Sequence, residues 1–272
     1  MSAVVNWREQ YPTFDAAIEA VGQQIAAMPQ DPLPVRHIFA PGVYMREMTA
    51  KKGYVIVGHK HRTEHLNRMP TGALRFLNDD GTTTDLHGPV EFWAPPGRKV
   101  AITLEDTVFI NVHETDETDV EAIEALFLDK SPMPQKLVTY QPDGDYEVML
   151  QDIGASAELV RRISEVEDVV PFPFGSYKVK IGTSDIEGRG LICTADIAKD
   201  EVICHMRIGD RRTPAGRYTN HSGAPNARII DQGADAYLMS LRDIEGCRGG
   251  FDGEEITVDY RQINRRLLES LV

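Results

Sequence analysis

The stretch Gly53-Tyr54-Val55-Ile56-Val57-Gly58-His59-Lys60-His61-Arg62-Thr63-Glu64-His65-Leu66-Asn67-Arg68-Met69-Pro70-Thr71-Gly72 sets three histidines between two glycines. Its opening, Gly53 to Val57, is rich in β-branched residues and reads as a strand. Side chains two apart on a strand share a face, so His59 and His61 can converge. Neutral imidazole is the commonest side-chain ligand for zinc, iron, nickel or copper. His65 follows with Glu64 beside it, and His113, ending a later apolar run, offers a further imidazole. The same rings could instead hydrogen-bond in the mouth of a β-barrel, and spacing leaves both readings open.

Working outward, short β-type runs recur from about Arg36 to His113, among them Ala73 to Leu77 and Val108 to His113. Asn78-Asp79-Asp80-Gly81 between two such runs is hairpin chemistry, because these residue types tolerate the positive φ of tight turns. Upstream, Phe14, Ile18, Val21, Ile25 and Met28 recur at helical spacing and predict a helix docked by one face, ended by Pro29 and Pro32. Downstream, Glu114 to Asp129 carries seven acidic residues and no basic one, with Val120, Ile123, Leu126 and Phe127 at helical spacing. That pattern predicts a helix whose charges face solvent. Residues 131–145, with Pro132, Pro134, Pro142 and Gly144, read as a linker. A helix over Ala155 to Val166, β structure from Pro173 to Tyr260 and a short helix over Ile263 to Leu271 complete a second domain, 146–272.

The whole chain, 272 residues with 42% hydrophobic and 26% charged side chains, is long enough for two buried cores. Its net charge of -13 disfavours sequence-independent binding to nucleic acid. Residues 171–272 hold 14 basic and 15 acidic side chains, so the acidic excess belongs to the first 170 residues. Cys193, Cys204 and Cys247 are odd in number and widely spaced, which predicts reduced thiols. The polar start, Met1 to Gln10, and the lack of a long apolar run predict a cytoplasmic protein without a signal peptide or membrane span.

The spacing from Gly53 through His59, His61 and His65 to Gly72 resembles the first motif of small cupin-like domains, with histidine at position 65 where that family has glutamate. Gly88 and Pro95-Pro96-Gly97 resemble the second motif, with Val100 in its histidine place. The resemblance covers about residues 36–113 and implies a β-barrel in domain 1–130. It also implies one divalent transition metal held by His59, His61, His65 and His113, and the possibility of a homo-oligomer formed through the barrel.

Three further segments stand in order in the second domain. They are Gly188-Arg189-Gly190-Leu191, Arg217-Tyr218-Thr219-Asn220-His221-Ser222 with Pro225-Asn226, and Gly253-Glu254-Glu255-Ile256-Thr257-Val258-Asp259-Tyr260. Together they resemble the SET-domain family of protein lysine methyltransferases over roughly residues 174–262. The resemblance implies a compact β fold, S-adenosyl-L-methionine as cofactor and a protein substrate still to be identified. It places Gly188, Arg189, Gly190, Tyr218, Asn220 and His221 at the cofactor. It places Tyr260 beside both the cofactor and the reacting lysine amine. Glycines at 188 and 190 let the backbone approach a bulky ligand.

This sequence departs from the family in three places. Gly223 follows the Asn-His-Ser run where zinc-binding members carry cysteine; only 16 residues, Cys204 to Thr219, precede Asn220, where members usually insert a longer groove segment; and His205 stands where many have a channel tyrosine. The fold class expected is therefore mainly β with a few helices, a cupin-like barrel followed by a SET-domain fold. The function expected is methyl transfer to a protein lysine, with Tyr260 and His205 at the reacting centre. Two alternatives stand beside it: a noncatalytic binding or assembly module, and a metal-dependent enzyme acting on a small molecule in the barrel.

Overall fold

The computed structural model describes residues 10–130 and 144–262. It is mainly β, 42% strand against 19% helix. The chain divides into two compact units. Among described residues the first takes 10–117, 122–130 and 247–251, and the second takes 118–121, 144–246 and 252–262. The sequence reading kept each domain continuous. In the structure two short segments, 118–121 and 247–251, belong to the unit on the far side of the expected boundary.

The first unit opens with α1 (Phe14–Ala26), capped where Thr13 Oγ1 accepts from the Ala16 N–H at 3.1 Å. Ala17 and Ile18 are its buried residues, while Val21 and Met28 lie 41% and 61% exposed, so the helix docks more shallowly than its periodicity predicts. Ten strands follow: β1 (Val35–Ala40), β2 (Val43–Ala50), β3 (Val55–Val57), β4 (Lys60–His61), β5 (His65–Thr71), β6 (Ala73–Leu77), β7 (Thr83–His87), β8 (Val90–Ala94), β9 (Val100–Thr103) and β10 (Thr107–Glu114). One antiparallel sheet runs β1-β2-β10-β5-β8. A second runs β3-β9-β6-β7. Met69, Leu74 and Ala101 form a buried core joined by Phe76, Leu86, Val90 and Phe109. The turn at Asn78 to Gly81 closes the β6–β7 hairpin as expected, with the Gly81 N–H bonded to the Asn78 carbonyl at 3.0 Å and Gly81 at φ +87°. Gly72 adopts φ +95°, and a Cβ there would overlap the Thr107 side chain and the Asp106 carbonyl. Glycine at that place lets β10 pass close to the β5–β6 turn.

α2 (Val120–Phe127) and β11 (Leu128–Asp129) come next. Val120 and Ile123 are buried, as the helical spacing predicts, but Leu126 is exposed. The acidic side chains are not simply solvated. Asp119 and Glu121 pair with Arg189, and Glu124 pairs with Lys130.

The second unit begins with α3 (Asp145–Ile153), a helix the sequence reading did not foresee, and α4 (Ala157–Ser164), which it did. Gly144 and Gly154 bracket α3 in left-handed conformations, and Met149 and Leu150 are buried. Eight of its nine β elements are β12 (Gly175–Tyr177), β13 (Val179–Thr183), β14 (Arg189–Cys193), β15 (Val202–Ile208), β16 (Arg211–Arg212), β17 (Asn220–His221), β18 (Ala227–Gln232) and β19 (Asp235–Ser240). The ninth is β20 (Glu255–Val258), and α5 (Pro214–Tyr218) precedes β17. One sheet has the order β13-β14-β20-β17 and the other β16-β15-β19-β18. Leu191, Leu238, Ile256 and Val258 are fully buried in its core. Most of the expected linker, 131–143, and the expected helix over Ile263 to Leu271 lie outside the described residues.

Candidate functional site

Two clusters of chemically active side chains stand out, one in each unit.

In the first unit a cavity of about 530 Å³ opens between the two sheets. His59, His61, His65 and His113 all line it, so the four imidazoles singled out in the sequence do gather there. They gather differently from the expected chelate. His59 lies in the loop between β3 and β4, not on a strand. His61 and His65 stack face to face, centroids 3.8 Å apart and planes 12° from parallel, and His113 stands 5.6 Å from each. The lone pairs of two parallel stacked rings run side by side and do not meet at one point. Among the described residues no group of three or more His, Cys, Asp or Glu side chains is arranged to hold a metal ion.

The donor chemistry nonetheless suits one. Burial drives His59 and His113 down to about 4 and His61 to about 3, and it lowers His65 as well. The Arg46 charge assists at His59 and His61. All four are therefore neutral near pH 7, the state a metal requires. His61 Nδ1 is buried without a hydrogen-bond partner. Behind the cluster Tyr44, wholly buried, bonds His37 Nδ1 through its hydroxyl at 2.7 Å and stacks 6.3 Å from His113.

In the second unit the three ordered motifs come together. β17 pairs in parallel with β20, Asn220 opposite Thr257 and His221 opposite Val258. Asn226 secures the crossing: its amide donates to the Glu255 carbonyl and its Oδ1 accepts from the Thr257 N–H, each at 2.8 Å. Tyr260 follows β20. Its N–H donates to His221 Nδ1 at 3.1 Å and its hydroxyl donates to the Thr219 carbonyl at 3.0 Å. The first of these bonds fixes the His221 tautomer, leaving the Nε2 proton to face Asp145 Oδ2 at 3.3 Å. Burial raises the Tyr260 phenol well above its ordinary value, so it stays protonated. Tyr146 and Tyr260 flank the His221 ring at 6.2 and 5.3 Å.

Several predicted contact residues have their polar atoms engaged within the protein. The Asn220 amide donates to Glu255 Oε1 at 2.8 Å, to Ser184 Oγ at 2.9 Å and to the Arg189 carbonyl at 3.2 Å. Arg189 pairs with Asp119 at 2.7 Å and Glu121 at 3.2 Å and lies 5.0 Å above the Tyr218 ring. A Cβ on Gly190 would overlap the Glu255 carboxylate, so this glycine admits an internal side chain where the sequence suggested a bulky ligand. Gly188 adopts φ +57° and faces open space. His205 lies on β15, in the other sheet, with its ring 4.3 Å from Tyr237.

The sequence reading missed the groups that hold this cluster in place. Arg261 bridges Asp145 at 2.7 Å and Asp152 at 2.7 Å, and it holds the Asp145 carboxyl below the usual carboxylate range. Ser184 bonds both oxygens of Glu255, at 2.8 and 2.9 Å. Only Glu255, within Gly253 to Tyr260, had a visible signal.

No protein-family model matches the chain, and no curated protein matches it. Solved structures do. A cupin domain from Bordetella pertussis is 21% identical over 33% of this chain and 99% of its own, with a TM-score of 0.27. A protein with a double-stranded β-helix domain from Klebsiella pneumoniae is 19% identical over 33% of this chain and 78% of its own, also at 0.27. A cupin-2 domain protein from Shewanella frigidimarina is 9% identical over 35% and 92%, at 0.26. These three neighbours are cupin or double-stranded β-helix domains. No helix among the described residues is long and apolar enough to cross a membrane.

Proposed function

We propose that the second unit is a SET-type domain that transfers a methyl group from S-adenosyl-L-methionine to a protein lysine. The observation that carries this reading is the parallel β17–β20 pair, which brings Asn220-His221 beside the strand leading to Tyr260 although 38 residues part Tyr260 from His221 in sequence. The ring faces of Tyr146, His221 and Tyr260 suit a sulfonium cation, since aromatic faces attract positive charge. When bound, the cofactor supplies an electrophilic methyl carbon. Transfer would join that methyl to a neutral lysine amine, leaving a neutral thioether, and the amine proton would pass to water. This chain's task is alignment and exclusion of water more than acid–base work. A Tyr260 phenol kept protonated by burial and anchored on Thr219 suits that task.

A second reading is favoured by Arg189 and Asn220, whose side chains are engaged internally. In it the unit is a noncatalytic binding or assembly module, with the barrel mediating self-association. Calorimetry of the full chain with S-adenosyl-L-methionine separates the two. Methyl transfer requires saturable binding near one per chain, and no heat at about 1 mM ligand leaves the noncatalytic module as the better reading. In the barrel, His59, His61, His65 and His113 would hold a divalent transition metal on the strength of their neutral, buried imidazoles, once His61 and His65 leave their stack.

A further inference from the structure

The barrel cavity carries a second polar feature that the histidines do not use. Arg46, Asn111 and Asn67 are register partners across three neighbouring strands, Arg46 opposite Asn111 and Asn111 opposite Asn67. All three line the cavity and form one row across its wall. Along β10 the cavity-lining residues alternate as Phe109, Asn111 and His113. The polar row therefore lies between the imidazoles at one end and phenylalanines at the other. Phe92, opposite Asn67, sits 6.2 Å from Phe76 and 6.3 Å from Phe109, so three rings wall that end.

Arg46 makes no ion pair or hydrogen bond with any described residue, although most arginines of this unit pair with a carboxylate, as Arg36, Arg62, Arg68 and Arg75 do. Asn111 donates to Asn67 Oδ1 at 2.8 Å, which orients the Asn67 amide and leaves its N–H donors without a described partner. A guanidinium fork and an amide donor facing a cavity between neutral imidazoles and phenyl rings form a site for a single negative charge with an apolar body. A volume of about 530 Å³ lies within the range of small-molecule sites.

We infer that this cavity binds a small organic monocarboxylate, its carboxylate on Arg46 and Asn67 and its apolar body against Phe76, Phe92 and Phe109. The cavity lining also holds Glu19, Glu124, Arg98 and Lys99, of which Glu124 pairs with Lys130. Arg46, half-buried, is the cation of the amide row, and a neutral ligand would leave it without a counter-charge there. The site is separate from the methyl-transfer proposal and needs no metal.

The test is calorimetry on the full chain, stripped with chelator, using phenylacetate and hexanoate as probes, with 2-phenylethanol and inorganic phosphate as controls. The expected result is saturable binding of at least one carboxylate at about 1 mM or tighter, and none of either control. Arg46→Gln should weaken that binding at least tenfold while the melting temperature holds or rises, and Arg46→Lys should weaken it less. Phe92→Ala should also weaken it, by removing part of the apolar wall. Absence of binding by both carboxylates, equal binding of 2-phenylethanol or phosphate, or unchanged affinity in folded Arg46→Gln protein would each overturn the inference.

Discussion

Tyr260 ties together segments that are distant in sequence. Its backbone N–H sets the tautomer of His221 and its hydroxyl ties down the Thr219 carbonyl, so the ring links the ends of two motifs. Tyr260→Phe keeps the ring volume and removes only the hydroxyl. If the phenol aligns the reacting amine, turnover should fall roughly tenfold or more, about 1.4 kcal/mol of barrier, with cofactor affinity little changed. If it only packs, the lost hydrogen bond should cost about 1 kcal/mol of stability and leave activity per folded molecule intact. Measuring unfolding and methyl transfer on the same preparation tells the two apart. Asn220 and Arg189 carry a parallel lesson: the family resemblance implied ligand contacts, while Glu255, Asp119 and Glu121 already engage their donors.

Strands whose signal was local were legible in the sequence, and those made by distant pairing were not. β6 runs from Ala73 to Leu77 as read, because its apolar run and the following turn both lie within ten residues. β17 is two residues long and exists through β20, some 35 residues onward, which no local pattern reports. α3 escaped notice because its glycine caps continue a run of proline and glycine that reads as linker. The four histidines were found by spacing, but spacing could not show the stack of His61 on His65. Arg46 drew no attention because one charge on an alternating strand reads as solvent-facing; only the strand register turns it inward. β15 offers a direct check of burial. Cys204 is fully enclosed there and its thiol is pushed up to about 12, so only about one thiol in ten thousand ionises at pH 8. Iodoacetamide at that pH should leave Cys204 unlabelled in native protein and label it in denaturant. Rapid native labelling would contradict the placement of β15.

At the scale of the whole molecule, each of the two β units carries its own proposal, and each can be probed in the intact chain. For the first unit, protein purified without chelator should carry close to one divalent metal per chain, and His59→Ala with His61→Ala should remove it; metal-free protein by elemental analysis would end that proposal. For the second unit, occupancy by S-adenosyl-L-methionine should raise the melting temperature, since a ligand that favours the folded state stabilises it by mass action. The most direct measurement is incubation of the full chain with methyl-labelled S-adenosyl-L-methionine and a protein extract, followed by peptide mapping. The account predicts label on a lysine side chain, lowered about tenfold or more in Tyr260→Phe protein of unchanged stability. Absence of label on any lysine from folded wild-type protein, with or without added divalent metal, would contradict it.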